Sequence, residues 1–161
     1  ASTRCSAATA SDSRTSVPIH GNGGHAAVVR ELRLDPPNRW IIAVGDNAAR
    51  QKEARNYEYF AIAIHSSAVI SPTASIGTGT VVLEGAIVQA RAIVGDHCII
   101  NAGAVVTHDC VIEDFVHLAP GVHLCGGVHV GEGALVGVGS CAVPVARISP
   151  WIVVPAGSVV K

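Results

Sequence analysis

From Ile70 onward an aliphatic residue recurs at every sixth position: Ile70, Ile76, Val82, Val88, Val94, Ile100, Val106, Ile112, Leu118, Leu124, Val130 and Val136. After a lapse at Ala142, the series resumes with Ile148, Val154 and Val160. Two positions ahead of most of these stands a small residue, as in Ala68, Ala74, Thr80, Ala86, Ala92, Cys98, Ala104 and Cys110. Such a period matches neither a helix nor the simple alternation of an open strand. A short fixed repeat of aliphatic and small residues predicts a parallel β-helix, so the fold class is mainly β. Gly77, Gly95 and Gly131 are spaced by multiples of eighteen, so three hexads make one triangular coil with three short strands and three corners. These glycines are expected to mark one corner, where a strained backbone angle costs least without a Cβ. Residues 70–160 supply about five coils, a prism on the order of 24 Å tall at roughly 4.8 Å per coil.

The segment 17–64 follows a different pattern. A strand over 16–20 leads into the glycine-rich turn Gly21-Asn22-Gly23-Gly24-His25, and a helix is predicted over 26–32. A turn at 35–38 precedes a buried strand, Trp40 to Val44. A polar helix over 48–55 follows, with Asp46 or Asn47 as its N-cap, and then a third strand, Tyr57 to Ile64. Strand–helix–strand–helix–strand is a small α/β unit with a parallel sheet. Residues 1–16 are small, polar and aperiodic, and read as a disordered leader or tag remnant. The chain is thus divided into 1–16, a small α/β domain at 17–64 and the β-helix at 65–161.

Composition narrows the function classes. The chain of 161 residues carries a formal net charge of −1 and shows no basic face, which argues against nucleic acid as a partner. No apolar run is long enough to span a bilayer. The five cysteines lack CxxC spacing, and Cys98, Cys110 and Cys141 lie in or beside core positions of the repeat, as expected of free thiols in a reducing cytoplasm. Methionine is absent even at position 1, so the start is read as processed or trimmed.

Two places offer chemistry. The turn Gly21–His25 before a helix can bring backbone N–H groups to an anion, although a tight strand-to-helix turn explains its glycines equally well. His108-Asp109 falls at a β-helix corner, where a carboxylate can orient an imidazole for proton transfer; a surface histidine beside a chance acid is the plainer reading. His117, His123 and His129 share one phase of the hexad and are expected on three different walls, which argues against a metal site gathered within one chain. Gly126-Gly127 lies at another corner, as a tight turn or as a source of exposed N–H groups.

Taken together, GNGGHAAVV at 21–29, IIAVGDN at 41–47, IHSSAVISPTASIG at 64–77 and INAGAVVTHDCVIEDFVHLAPG at 100–121 resemble the hexapeptide-repeat acetyltransferases of bacterial glycan synthesis, which modify nucleotide-linked amino sugars and sialic acids. The resemblance spans about 17–160. It implies a left-handed β-helix, a Rossmann-like nucleotide-sugar domain, acetyl-CoA as co-substrate with no metal required, and a homotrimer with active sites between subunits. By motif it implies His108 as general base and Asp109 as the carboxylate that strengthens it, with the Gly126 N–H facing the developing oxyanion. It likewise places His117, Val138 and Ala156 on acetyl-CoA, and Gly23, Gly24, His25 and Gly45 on the nucleotide sugar. The family's strand with an acidic pair is absent between Leu34 and Trp40, so the first domain is shortened, and Pro150 and Pro155 depart from the family's glycine or polar residues. Direct acetyl transfer in a ternary complex is the expected reaction. A non-catalytic trimeric sugar-binding or scaffold remnant is the alternative. A zinc lyase of the carbonic anhydrase type shares the fold, but the histidine spacing here does not match its pattern.

Overall fold

The computed structural model describes residues 19–21, 24–29 and 39–161. From Ala63 to Val160 the chain winds through two-residue strands, one in every hexad. Each pairs in parallel with strands eighteen residues away, as Val105–Val106 does with Ile87–Val88 and His123–Leu124. The strands form three walls of six, six and five members, which makes five full coils and two further strands. The first wall runs from Ala63–Ile64 through Ile99–Ile100 and His117–Leu118 to Val153–Val154, and the second from Val69–Ile70 to Val159–Val160. The third runs from Ser75–Ile76 through Val111–Ile112 to Arg147–Ile148.

The repeat has this form because two side chains per hexad turn inward. The aliphatic residue and the residue two positions before it are both buried: Val106 with Ala104, Ile112 with Cys110, Leu118 with Val116. A narrow prism accommodates one large and one smaller side chain per face, and together they make a single apolar cluster from Val82 to Val154. Each aliphatic side chain removed from water contributes about 1.5–3 kcal/mol. At the lapse, Ala142 still points inward and is buried. The aliphatic phase also extends one hexad earlier than expected, to Ile64.

The corners correct the reading of the glycines. A left-handed backbone occurs every six residues from Gly79 to Gly157, at Gly79, Gly85, Arg91, His97, Gly103, Asp109, Phe115, Gly121, Gly127, Gly133, Gly139, Val145, Trp151 and Gly157. Gly77, Gly95 and Gly131 are not in this series. Close approach of the next coil explains them instead, since a Cβ on Gly131 would lie 2.6 Å from the Pro150 nitrogen. The left-handed slots segregate by corner. Between the first and second walls they are all glycine: Gly85, Gly103, Gly121, Gly139 and Gly157. Between the third and first walls they include His97, Phe115 and Trp151, and between the second and third they include Arg91 and Asp109.

The N-terminal unit is a two-stranded parallel sheet, β1 (Ile19–His20) with β2 (Ile41–Ile42), accompanied by α1 (Gly24–Val29) and α2 (Asn47–Ala54). Asp46 caps α2, its Oδ1 accepting from the Ala49 N–H at 2.7 Å. Gly21 is required here, because its φ is +135° and a Cβ would sit 2.6 Å from the Ala43 carbonyl oxygen. The third strand expected over 57–64 is divided: Phe60 bridges Trp40, whereas Ala63–Ile64 pairs with Val81–Val82 in the first wall. The unit docks on the outer face of that wall, where Ala26, Ile41, Ala43, Ala61, Ala63 and Val81 form a second small core. The leader at 1–16, the start of the first strand, Gly23 and the end of the first helix lie outside the described residues.

Candidate active site

His108 and Asp109 occupy the corner between the second and third walls. His108 Nδ1 lies 2.7 Å from Asp109 Oδ2, so a protonated Nδ1 donates to the carboxylate and leaves the Nε2 lone pair free to accept a proton. Asp109 has a φ of 61°, which sends its side chain down the corner to Arg91, one coil below. Arg91 Nε and Nη2 donate to Asp109 Oδ1 and Oδ2 at 2.6 and 2.8 Å. These bonds, Arg91 first and His108 second, lower the Asp109 carboxyl to about 2. Gly126 lies one coil above, against the imidazole: an added Cβ would come 2.6 Å from His108 Cε1 and 2.8 Å from Nε2. Its N–H donates to no acceptor among the described residues. The corner thus joins a base, a carboxylate and a free backbone donor.

A second group forms where the N-terminal unit meets the first wall. His25, in α1, faces His117 with ring centroids 6.5 Å apart. Asn101 Oδ1 accepts from the Ala102 N–H, which turns its Nδ2 toward His117 Nε2 at 3.1 Å. His117 Nδ1 and His25 Nε2 are both buried without a hydrogen-bond partner. Burial, and then the Arg50 charge, holds each imidazole down at about 4; His25 further lowers His117, and the Gly45 carbonyl opposes the shift. Both rings are therefore neutral near pH 7. Gly24 and Gly45 face open space, a cradle that a Cβ would begin to fill.

Arg50 is the anchor beneath this group. It is 1% exposed, yet no carboxylate pairs with it among the described residues. Its Nε donates to the His97 carbonyl at 2.8 Å, Nη1 to Val44 at 2.8 Å and to Gly45 at 3.3 Å, and Nη2 to Phe115 at 2.8 Å and Asn47 Oδ1 at 2.7 Å. Burial lowers its pKa to about 10, which leaves it charged at neutral pH. Asn47 extends the joint through Nδ2 to the carbonyls of Gly133 and Ala134.

Val138 and Ala156 stack one coil apart on the third edge, between the first and second walls. All five left-handed slots of this edge are glycine, and a Cβ on any of them would meet nothing within 4 Å. The edge is therefore a bare track. The N–H groups of Val138 and Ala156 donate to no acceptor among the described residues, and Val138 is exposed.

Within one chain the expected site residues form three groups: His108, Asp109 and Gly126; His25, His117, Gly24 and Gly45; and Val138 with Ala156. His117 falls with His25 and Gly45, residues expected on the nucleotide sugar. His117, His123 and His129 lie on three different walls. Among the described residues no three His, Cys, Asp or Glu side chains gather as a metal site, and no helix is long and apolar enough to cross a membrane. Arg50, Asn101 and Arg91 were missed from sequence. For Arg91 a signal existed, since it stands eighteen residues before Asp109 and so directly beneath it.

No family model matches the chain, and no curated protein matches it. Solved structures do. PerB from Caulobacter crescentus, in complex with CoA and GDP-perosamine, is 37% identical, with 94% of this chain and 91% of that one covered and a TM-score of 0.85. A His-to-Asn variant of perosamine N-acetyltransferase from the same organism, with the same ligands, is 36% identical over 94% and 91%, with a TM-score of 0.86. The acetyltransferase domain of PglB from Neisseria gonorrhoeae FA1090, in complex with acetyl coenzyme A, is 29% identical over 88% of each chain, with a TM-score of 0.82. The chain belongs to the hexapeptide-repeat acetyltransferases. It is an acetyl-CoA-dependent acetyltransferase.

Proposed function

We propose that the chain transfers acetyl from acetyl-CoA to the amine of a nucleotide-linked sugar, by direct attack, at sites formed between subunits of a homotrimer. The observation behind this reading is the His108 corner, where Nδ1 is held by Asp109 at 2.7 Å and the ring lies against Gly126, whose N–H donates to no acceptor among the described residues. His108 Nε2 takes the proton as the amine nitrogen bonds to the thioester carbonyl carbon. The Gly126 N–H stabilises the oxyanion, a contribution typically worth about 3 kcal/mol. The carbon–sulfur bond then breaks, and the proton on Nε2 goes to the departing CoA thiolate.

The sugar side is assigned to Gly23, Gly24, His25 and Gly45, in a Rossmann-like unit where Gly24 and Gly45 face open space. Acetyl-CoA is assigned to the Val138–Ala156 track, and His117 meets it where the thioester reaches the sugar amine. The homotrimer, with active sites between subunits, is carried over from the family the chain resembles. The solenoid is taken as left-handed, as in the family the chain resembles. PerB, crystallised with GDP-perosamine, makes GDP-perosamine the first acceptor to try.

The test is CoA release from acetyl-CoA against GDP- and UDP-linked amino sugars and the free amino sugars. Turnover with a nucleotide-linked acceptor, lost in His108→Ala, is the expected result. Turnover that survives His108→Ala unchanged would remove His108 from the reaction.

A further inference from the structure

At the His108 corner, Arg91 and Asp109 are held in left-handed slots, with φ values of 59° and 61°. Non-glycine residues pay about 1 kcal/mol or more for that conformation. One coil apart, they are aligned so that the guanidinium meets the carboxylate through two bonds of 2.6 and 2.8 Å. A two-point contact fixes the plane of the carboxylate as a single contact does not. Asp109 Oδ2, which accepts from Arg91 Nη2, is also the oxygen 2.7 Å from His108 Nδ1. The charged groups facing the imidazole are Asp109 and, behind it, Arg91; the stacked residues below and above, Ala90 and Gly126, carry none.

We propose that Arg91 is a positioning residue for acetyl transfer, orienting Asp109 so that His108 keeps its proton on Nδ1 and presents Nε2 to the acceptor amine. Arg91 does not touch the reacting atoms. Its positive charge also offsets part of the Asp109 field at the imidazole. Removing it leaves the carboxylate's field undivided and its plane unfixed. This inference rests on the assignment of His108 as base.

The experiment compares Arg91→Met, Arg91→Lys, Asp109→Asn and the Arg91→Met/Asp109→Asn double variant, with His108→Ala as reference. Arg91→Met is expected to lower kcat roughly tenfold with KM little changed. Its acidic limb of kcat/KM moves to higher pH, because a base in a more negative field keeps its proton longer. Arg91→Lys retains the charge without the two-point geometry, so its limb stays near wild type while kcat remains low. In the Asp109→Asn background, Arg91→Met is expected to have no further effect. A limb that does not move in Arg91→Met, or full additivity in the double variant, overturns the inference while His108→Ala stays inactive. An active His108→Ala overturns the underlying assignment instead.

Discussion

Two corners of the prism carry the same two residue types in opposite order, and their fates differ. At one, His108 precedes Asp109. At the other, twelve residues earlier, Asp96 precedes His97. The second residue of each pair takes the left-handed slot, which aims its side chain along the corner stack. Asp109 in that slot reaches Arg91 and leaves the imidazole exposed beside Gly126. His97 in that slot is 7% exposed, stacked on Phe115 at 5.0 Å between ring centroids and edge-on to Phe60 at 4.3 Å. Asp96 serves the backbone instead, accepting from the Thr78 N–H at 2.7 Å. What covers each corner completes the difference. The N-terminal unit closes over His97 through Arg50, which holds the His97 carbonyl, and leaves His108 uncovered. A His-Asp pair at a corner thus stays open to solvent or is buried according to its order and its cover.

The comparison breaks most severely at its anchor. Arg50→Met leaves the carbonyls of Val44, His97 and Phe115 buried without their donor. A loss of at least about 3 kcal/mol is expected, read by denaturant unfolding of the N-terminal unit. An effect under about 1 kcal/mol would mean that Arg50 does not hold the joint. Gly126→Ala should separate function from fold at the other corner. The new Cβ lands 2.6 Å from His108 Cε1, and the exposed imidazole is free to swing aside. Turnover should fall about tenfold or more, with stability changed by no more than ~0.5 kcal/mol. Unchanged turnover would place the reacting imidazole elsewhere.

The smallest expected effect is the pH response of the covered side. His25 and His117 sit at about 4, below the ordinary histidine value of 6.5, and His97 is also lowered by burial. A lowered folded-state value means that the unfolded chain binds protons more readily. Their contribution is therefore full above pH 6.5 and is lost as pH falls toward 4. Thermal unfolding should show a lower Tm at pH 4.5 than at pH 7.5, reduced in a His25→Phe variant. A Tm difference as large in that variant as in wild type would remove His25 from the effect.

The solenoid was legible because its period is local: inward aliphatic and small residues repeat whatever the coil beside them. The period places His108-Asp109 at a corner, but it places Asp96-His97 at one equally, and only the resemblance singled out the first pair. The left-handed slots were not legible. Arg91, His97, Asp109, Phe115, Val145 and Trp151 occupy them as well as glycine, since stacking between coils compensates for the strain. Gly77, Gly95 and Gly131 answer to crowding instead. Arg50 was hidden for another reason. It sits in a polar helix that reads as solvent-facing, and its burial is decided by carbonyls at His97 and Phe115, far along the chain.

The central claim is that the exposed corner performs the transfer and the covered corner holds the fold. The measurement that tests it is kcat alongside Tm for His108→Asn and His97→Asn, with acetyl-CoA and a turned-over nucleotide-linked amino sugar. His108→Asn is predicted to lose turnover about a hundredfold or more at an unchanged Tm. His97→Asn is predicted to lower Tm and to keep kcat per folded molecule. Retained turnover in His108→Asn, or lost turnover at an unchanged Tm in His97→Asn, would contradict it.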